Sequence, residues 1–167
     1  MTDPQSRLGS VVRHGDGVTL RFERSFDAPV EDVWSAVTDP EQLGRWFGSW
    51  TGDPAEGRVQ LRMVDEPDEQ GPTTVTITTC RRPEVLEVRT ESPDGPWPLA
   101  VRLRRDGHRT LLTFTHELAE PYDAGSIGPG WHYYLDRLDA VLTGTPPTAR
   151  WEDYHPRLAE QYRLPEA

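Results

Sequence analysis

The stretch that decides the fold reads Arg24-Ser25-Phe26-Asp27-Ala28-Pro29-Val30-Glu31-Asp32-Val33-Trp34-Ser35-Ala36-Val37-Thr38-Asp39-Pro40-Glu41-Gln42-Leu43-Gly44-Arg45-Trp46. Up to Phe26 apolar and polar residues alternate, which predicts a half-buried strand over residues 18–26. After Pro29, a residue that suits the first turn of a helix, the apolar residues recur at i, i+3, i+4 and i+7. This spacing predicts a short helix with one buried face, formed by Val30, Val33, Trp34 and Val37.

A second short helix is predicted directly after the first. Asp39 stands where an N-cap residue accepts hydrogen bonds from the backbone, and Pro40 has the fixed φ angle that suits the first helical position. This helix is expected to carry Leu43, Trp46 and Phe47 and to end near Gly48.

Further strands are predicted on both sides of this stretch by apolar residues that alternate with polar ones. Upstream, Val11 and Val12 face the strand over residues 18–26 across Asp16-Gly17, a hairpin signal. Downstream, five strands are marked by inward-facing positions, which are Val59, Leu61 and Met63, then Val75 and Ile77, then Leu86 and Val88, then Trp97, Leu99, Val101 and Leu103, and last Leu112, Phe114 and His116. Because short turns join these segments, they predict an antiparallel meander.

The strongest helical pattern follows the last strand. Trp131, Leu135, Leu138 and Leu142 lie at i, i+4, i+7 and i+11, and Asp136, Arg137 and Asp139 are expected on the solvent side. Gly128-Pro129-Gly130 is interpreted as the start signal of this helix and Gly144 as its stop signal. The run over residues 125–130 is further interpreted as a flexible hinge beside it.

One apolar sheet face and one apolar helix stripe must bury each other, so the fold class is α+β. We expect a curved antiparallel sheet of about six to seven strands wrapped around the long C-terminal helix, with the two short helices after the first strand. The expected organisation is a flexible N-terminus (residues 1–10), one domain (residues 11–144) and a C-terminal extension packed on it (residues 145–167). In that extension Trp151, Tyr154, Leu158 and Tyr162 indicate a short helix over residues 151–163.

The composition excludes several classes of function. The 167 residues include 18 arginines, no lysine and 28 acidic residues, for a formal net charge of −10. This charge argues against nucleic acids and anionic membranes as partners, and the absence of lysine excludes Schiff-base and P-loop chemistry. Cys80 is the only cysteine, and the five histidines are dispersed, so neither a metal site nor a cofactor is expected. No signal or membrane-spanning segment is visible, which predicts a cytoplasmic protein without membrane insertion.

Four ordered motifs of this sequence resemble the SRPBCC (START-like, helix-grip) superfamily. Within it, they are most similar to the branch of the C-terminal domain of the activator of heat-shock protein 90 ATPase. The motifs lie at residues 24–34, 38–46, 113–117 and 130–138, and the resemblance covers roughly residues 11–144. It implies the helix-grip fold, with a ligand cavity between the sheet and the C-terminal helix, and it associates the chain with the stress response.

The candidate ligand-binding residues are those that the resemblance and the inward periodicity place around this cavity. The apolar candidates are Trp46, Phe47, Met63, Ile77, Trp97, Leu99, Phe114, Trp131 and Leu135, and the polar ones are His116 and Tyr134. Aromatic walls suit a flat apolar ligand. The leading interpretation is a binding protein, monomeric or homodimeric, that holds a hydrophobic small molecule of aromatic or lipid-like character.

Two alternatives stay open at this point. A polyketide cyclase/dehydratase-like enzyme could use the same cavity, and His116 with Tyr134 would then be its acid–base pair. A co-chaperone-like activator or other protein-interaction module would instead use the acidic surface to bind a basic protein partner. No residue is assigned a catalytic role.

Overall fold

The structure is a computed structural model, and it describes residues 9–14, 17–63, 72–91, 96–118, 124–145, 150–154 and 162. In this part of the chain it contains eight strands and three α-helices. Their bounds are β1 (Ser10–His14), β2 (Gly17–Phe26), α1 (Val30–Thr38), α2 (Pro40–Leu43), β3 (Gly48–Thr51), β4 (Arg58–Met63), β5 (Thr73–Arg81), β6 (Val85–Thr90), β7 (Trp97–Asp106), β8 (Arg109–Leu118) and α3 (Ala124–Thr143). Single 3-10 turns add Pro54–Glu56 and Trp151–Asp153.

The eight strands form one antiparallel sheet in the order β1-β2-β8-β7-β6-β5-β4-β3. Phe114 of β8 lies opposite Phe22 of β2 on one side and Val101 of β7 on the other. One face of the sheet is covered by α1 and α3, and the residues buried between these layers form the core. The predicted α+β helix-grip fold is confirmed.

Helix α1 buries the predicted face, with Val30, Val33, Trp34 and Val37 all in the core. The Asp39 carboxylate accepts hydrogen bonds from the backbone N–H groups of Glu41 and Gln42, as expected of an N-cap. Helix α2 nevertheless ends at Leu43, so Trp46 and Phe47 lie in the turn that follows it and not on the helix.

Strand β3 was not predicted, because only Trp50 among its four residues is apolar and no alternation is visible. It begins at Gly48 because the chain approaches β4 closely at that point. A Cβ atom on Gly48 would lie 2.7 Å from the carbonyl oxygen of Arg62. Only glycine fits such an approach without a shift of the backbone.

Helix α3 begins at Ala124, so the run over residues 125–130 is helical and the interpretation of it as a hinge and start signal is wrong. Pro129 lies inside the helix, beyond the first turn where proline is usually accommodated. A Cβ atom on Gly128 would overlap the ring of Tyr162. Tertiary packing therefore explains a glycine that local propensity treats as a helix breaker.

The C-terminal extension contributes buried side chains to the core. Tyr154 and Tyr162 belong to the core cluster, and residues 151–153 form a 3-10 turn. Leu158 and most of the predicted helix over residues 151–163 lie outside the described residues, as do residues 1–8 of the predicted flexible N-terminus. Among the helices that are described, none combines the length and the apolar character needed to cross a membrane.

Candidate functional site

A cavity of about 630 Å³ lies between the inner face of the sheet and helices α1 and α3. Ten of the eleven candidate binding residues line it, and the exception is His116. They come from the turn after α2, from β4, β5, β7 and β8, and from α3. A cavity of this size is in the range that holds small ligands.

All six tryptophans of the chain line the cavity. The sequence predicts Trp46, Trp97 and Trp131 there, whereas it predicts plain packing for Trp34, packing of the C-terminal extension for Trp151 and no role for Trp50. Periodicity could not have found Trp50, which lies on a strand of four residues. The number of tryptophans was the one signal available, since aromatic side chains dominate both cores and binding sites.

Three of the indole N–H groups donate to acceptors in the protein. Trp46 Nε1 donates to the carbonyl oxygen of Ala36 over 2.9 Å, and Trp50 Nε1 donates to that of Thr38 over 2.8 Å. Both acceptors belong to the last turn of α1, where carbonyl groups have no partner within the helix. Because these donors are satisfied by the fold, the two indoles add apolar ring surface to the cavity and no free polar group.

The aromatic rings on the α3 side of the cavity contact one another. Phe47 stacks on Trp131 with the ring centroids 5.5 Å apart, and it meets Tyr134 edge to face at 5.0 Å. The ring centroids of Phe114 and Trp131 lie 4.5 Å apart. Such offset and edge-to-face pairs are favourable beyond their burial of area, so this wall is held in place by its own members.

His116 lies behind this wall. Its ring is fully buried against Trp97, at a centroid distance of 4.8 Å, and its Nδ1 accepts the Trp131 indole N–H over 3.1 Å. Because Nδ1 is an acceptor, the neutral ring carries its proton on Nε2, which has no hydrogen-bond partner among the described residues. Burial lowers the pKa of His116 from 6.5 to about 4, so the ring is neutral at pH 7.

The structure does not place His116 in the cavity wall, so the polar contact with a ligand that was expected of it stays a prediction. Its Nδ1 is occupied by Trp131, and the side chain orients that indole. Tyr134 does line the cavity, and its ring lies 6.5 Å from that of Trp131. An acid–base pair of His116 and Tyr134 would need His116 to reach the cavity, and Trp131 and Trp97 cover it.

Charged side chains border the cavity only at exposed positions. Among the described residues, Arg82 and Glu91 are the charged ones in its wall, and both are exposed. The Arg82 side chain pairs with Glu31 over 3.8 Å, and both side chains are exposed. Among the described residues, the buried part of the wall therefore offers ring faces and aliphatic side chains but no charge. An ionised ligand group placed there would lose its hydration without a counter-charge, which is costly.

The comparison with protein families agrees with the fold. Residues 27–143 match the family described as Activator of Hsp90 ATPase homolog 1-like protein. The chain belongs to this family. The resemblance to the heat-shock protein 90 activator branch is thereby confirmed, while a role in the stress response stays a prediction. Family membership determines the scaffold and leaves the ligand open.

Solved structures of the same fold cover 80% to 95% of the chain. The crystal structure of CalU16 from Micromonospora echinospora has a TM-score of 0.76 and 27% identity, with 95% of this chain and 96% of that chain covered. Protein EF2215 of unknown function from Enterococcus faecalis has a TM-score of 0.75 and 19% identity, covering 95% and 91%. DynU16, described as a protein in the dynemicin biosynthetic locus, has a TM-score of 0.66 and 21% identity, covering 80% and 50%. No curated protein matches the sequence.

A second group of polar side chains is buried outside the cavity. These side chains connect residues of the family-matched range with residues that precede and follow that range. Arg24 lies 3.2 Å from the Asp136 carboxylate, and both side chains are almost fully buried. The same carboxylate accepts the Tyr154 hydroxyl over 2.7 Å and lies 3.5 Å from the ring of His132. The prediction that Asp136 faces solvent is wrong, because the C-terminal extension covers it. Arg24 and Tyr154 both lie outside the matched range 27–143.

Proposed function

We propose that this protein binds a neutral, hydrophobic small molecule with aromatic character in the cavity between the sheet and α3. The observation that carries the proposal is the position of the six tryptophans, all in the wall of one cavity of about 630 Å³. An apolar ligand that leaves water for such a site gains about 25 cal/mol per Å² of buried apolar surface. Ring faces add specific stacking to that gain.

Because three indole N–H groups already donate to the protein, the cavity favours an aromatic ligand over one with a polar or ionised group at its centre. Trp46, Trp50 and Trp131 each donate their indole N–H to the protein, and the charged wall residues in the described part of the chain lie at the exposed border. A ligand therefore meets ring carbon on several sides. A polar group on the ligand is best accommodated near Arg82 and Glu91, where water remains available.

Direct binding of a neutral fluorescent aromatic compound tests the proposal. We expect Nile red to bind the full chain with one saturable site and a blue-shifted emission, which reports an apolar environment. Trp97→Ala removes a wall residue from β7 and is expected to weaken binding by about tenfold, as truncation of a central aromatic does. Val12→Ala is the matched control, because Val12 is 49% exposed on β1 and does not line the cavity.

Native mass spectrometry of the freshly purified protein identifies the natural ligand class. A released neutral aromatic compound would support the proposal. Equal affinity of wild type and Trp97→Ala for Nile red, or no saturable binding at all, would contradict it.

A further inference from the structure

Among its described residues, the C-terminal extension reaches the cavity at Trp151. Trp151 lies in the cavity wall although it follows the family-matched range 27–143, and its side chain is 40% exposed. Its ring meets Tyr133 of α3 edge to face, with centroids 5.3 Å apart. The geometry points to residues 150–154 as part of the binding site, with Trp151 as a ligand-contacting residue and Tyr154 as the residue that positions it. This inference rests on the proposed function.

Tyr154 attaches the segment to the core. Its hydroxyl donates to Asp136 over 2.7 Å, and Asp136 is itself held by Arg24. Its backbone N–H donates to the carbonyl oxygen of Trp151 over 3.0 Å, so the anchor and the wall residue belong to one turn. Burial raises the pKa of Tyr154 well above its usual range, which keeps the hydroxyl protonated as a donor at neutral pH.

Tyr162 supplies a second attachment further along the chain. Its hydroxyl lies 2.8 Å from Nδ1 of His132 and accepts the backbone N–H of Gly9 over 3.0 Å. Its ring lies against Gly128 of α3, as Trp151 lies against Gly130. The two glycines of the Gly128-Pro129-Gly130 run thus both face aromatic rings of the C-terminal extension.

This arrangement couples ligand binding to docking of the segment. A ligand that contacts Trp151 gains its full interaction only when residues 150–154 are docked, and thermodynamic linkage makes the coupling reciprocal. Loosening Tyr154 should therefore lower ligand affinity, although Tyr154 does not line the cavity. If Tyr154 had a purely structural role, its substitution would lower the stability of the protein and leave the ligand affinity unchanged.

The test compares Nile red affinity and thermal stability for four variants of the full chain. Trp151→Ala is expected to raise Kd by about tenfold, and Tyr154→Phe by about fivefold through loss of positioning. Thr110→Val is the matched control for Tyr154→Phe. It also removes one buried hydroxyl hydrogen bond, from Thr110 Oγ1 to the Ala28 carbonyl oxygen over 2.7 Å, but it lies on β8 away from the extension. It should lower the Tm and leave Kd unchanged. Trp97→Ala changes the cavity wall on β7 and leaves the C-terminal extension unchanged.

The outcomes separate this inference from the proposed function. If Trp97→Ala weakens binding but Trp151→Ala and Tyr154→Phe bind as wild type does, the C-terminal segment is not part of the site. This inference is then refuted, and the proposed function still stands. If Tyr154→Phe weakens binding no more than Thr110→Val does, the positioning role of Tyr154 is refuted. If wild type does not bind Nile red, the proposed function and this inference fall together.

Discussion

The substitution Gly128→Ala separates the local preference of helix α3 from its packing against the C-terminal extension. Alanine is a better helix former than glycine by about 1 kcal/mol, so propensity alone predicts that the variant is more stable. The structure predicts the opposite. A Cβ atom on residue 128 would overlap Cγ of Tyr162 and would lie 2.6 Å from its Cδ1 and 2.8 Å from its Cβ. These atoms are at the root of the side chain, so a rotation of the ring cannot relieve the overlap.

The magnitude follows from what Tyr162 must give up when it is displaced. Its ring is fully buried beside Phe22, at a centroid distance of 5.8 Å, and its hydroxyl bonds to His132. Loss of a buried aromatic side chain costs about 3–5 kcal/mol. After subtraction of the gain of about 1 kcal/mol in helix propensity, we expect Gly128→Ala to destabilise the protein by about 2–4 kcal/mol.

Urea unfolding followed by tryptophan fluorescence measures this free energy. Gly130→Ala is the matched control in the same helix, because its Cβ atom would lie 3.5 Å from Trp151, an ordinary contact. It should be neutral or slightly stabilising. In a Tyr162→Ala background, Gly128→Ala should become stabilising, since the overlap is gone. If Gly128→Ala stabilises the wild type as much as Gly130→Ala does, the packing of Tyr162 on α3 described above is refuted.

Four other predictions concern the pKa of His116, the N-cap of α2, the buried Arg24–Asp136 ion pair and the stabilisation of the protein by a bound ligand. The unfolded chain protonates His116 near pH 6.5 and the folded chain near pH 4, so the unfolded state binds more protons in this window. The free energy of unfolding should therefore fall by about 3 kcal/mol as the pH drops from 6.5 to 4. Urea titrations at several pH values should show a shallower fall for His116→Gln. Asp39→Ala should cost about 1 kcal/mol through loss of the α2 cap, with Asp39→Asn close to wild type in the same assay. Arg24→Met should cost about 3–5 kcal/mol because it leaves the buried Asp136 without its guanidinium, and calorimetry should show part of this loss recovered in Arg24→Met/Asp136→Leu. Nile red at about a hundred times its Kd should stabilise the wild type by about 2.7 kcal/mol, seen as a rise in Tm that is smaller for Trp97→Ala at the same concentration.

Elements with a complete local pattern could be predicted from the sequence. The alternation over residues 18–26 and the spacing of Val30, Val33, Trp34 and Val37 are properties of neighbouring residues, and the structure has both elements. The N-cap at Asp39 is equally local. Strand β3 has no such pattern, and it exists because β4 pairs with it.

Positions that depend on contacts between distant parts of the chain could not be predicted in the same way. The alternation along β8 predicts that the His116 side chain points to the inner face of the sheet. It does not predict that the rings of Trp97 and Trp131 cover the His116 ring and bury it. Asp136 is buried because Tyr154 returns to it from beyond the domain. Periodicity along one helix contains no information about a segment that folds back from elsewhere.

The tryptophans of the cavity fall into two kinds, and this decides which of them can report on binding. Trp46 and Trp50 satisfy carbonyl groups at the end of α1 while they line the cavity, so their loss would unsettle the helix end together with the wall. Trp131 is tied to His116 in the same way. Within the described residues, the indole N–H of Trp97 has no hydrogen bond of this kind, and its ring rests on His116. Substitution of Trp97 therefore removes ring surface from the cavity without breaking a hydrogen bond within the described residues, and its loss of affinity reports the ligand contact more directly than that of Trp46, Trp50 or Trp131.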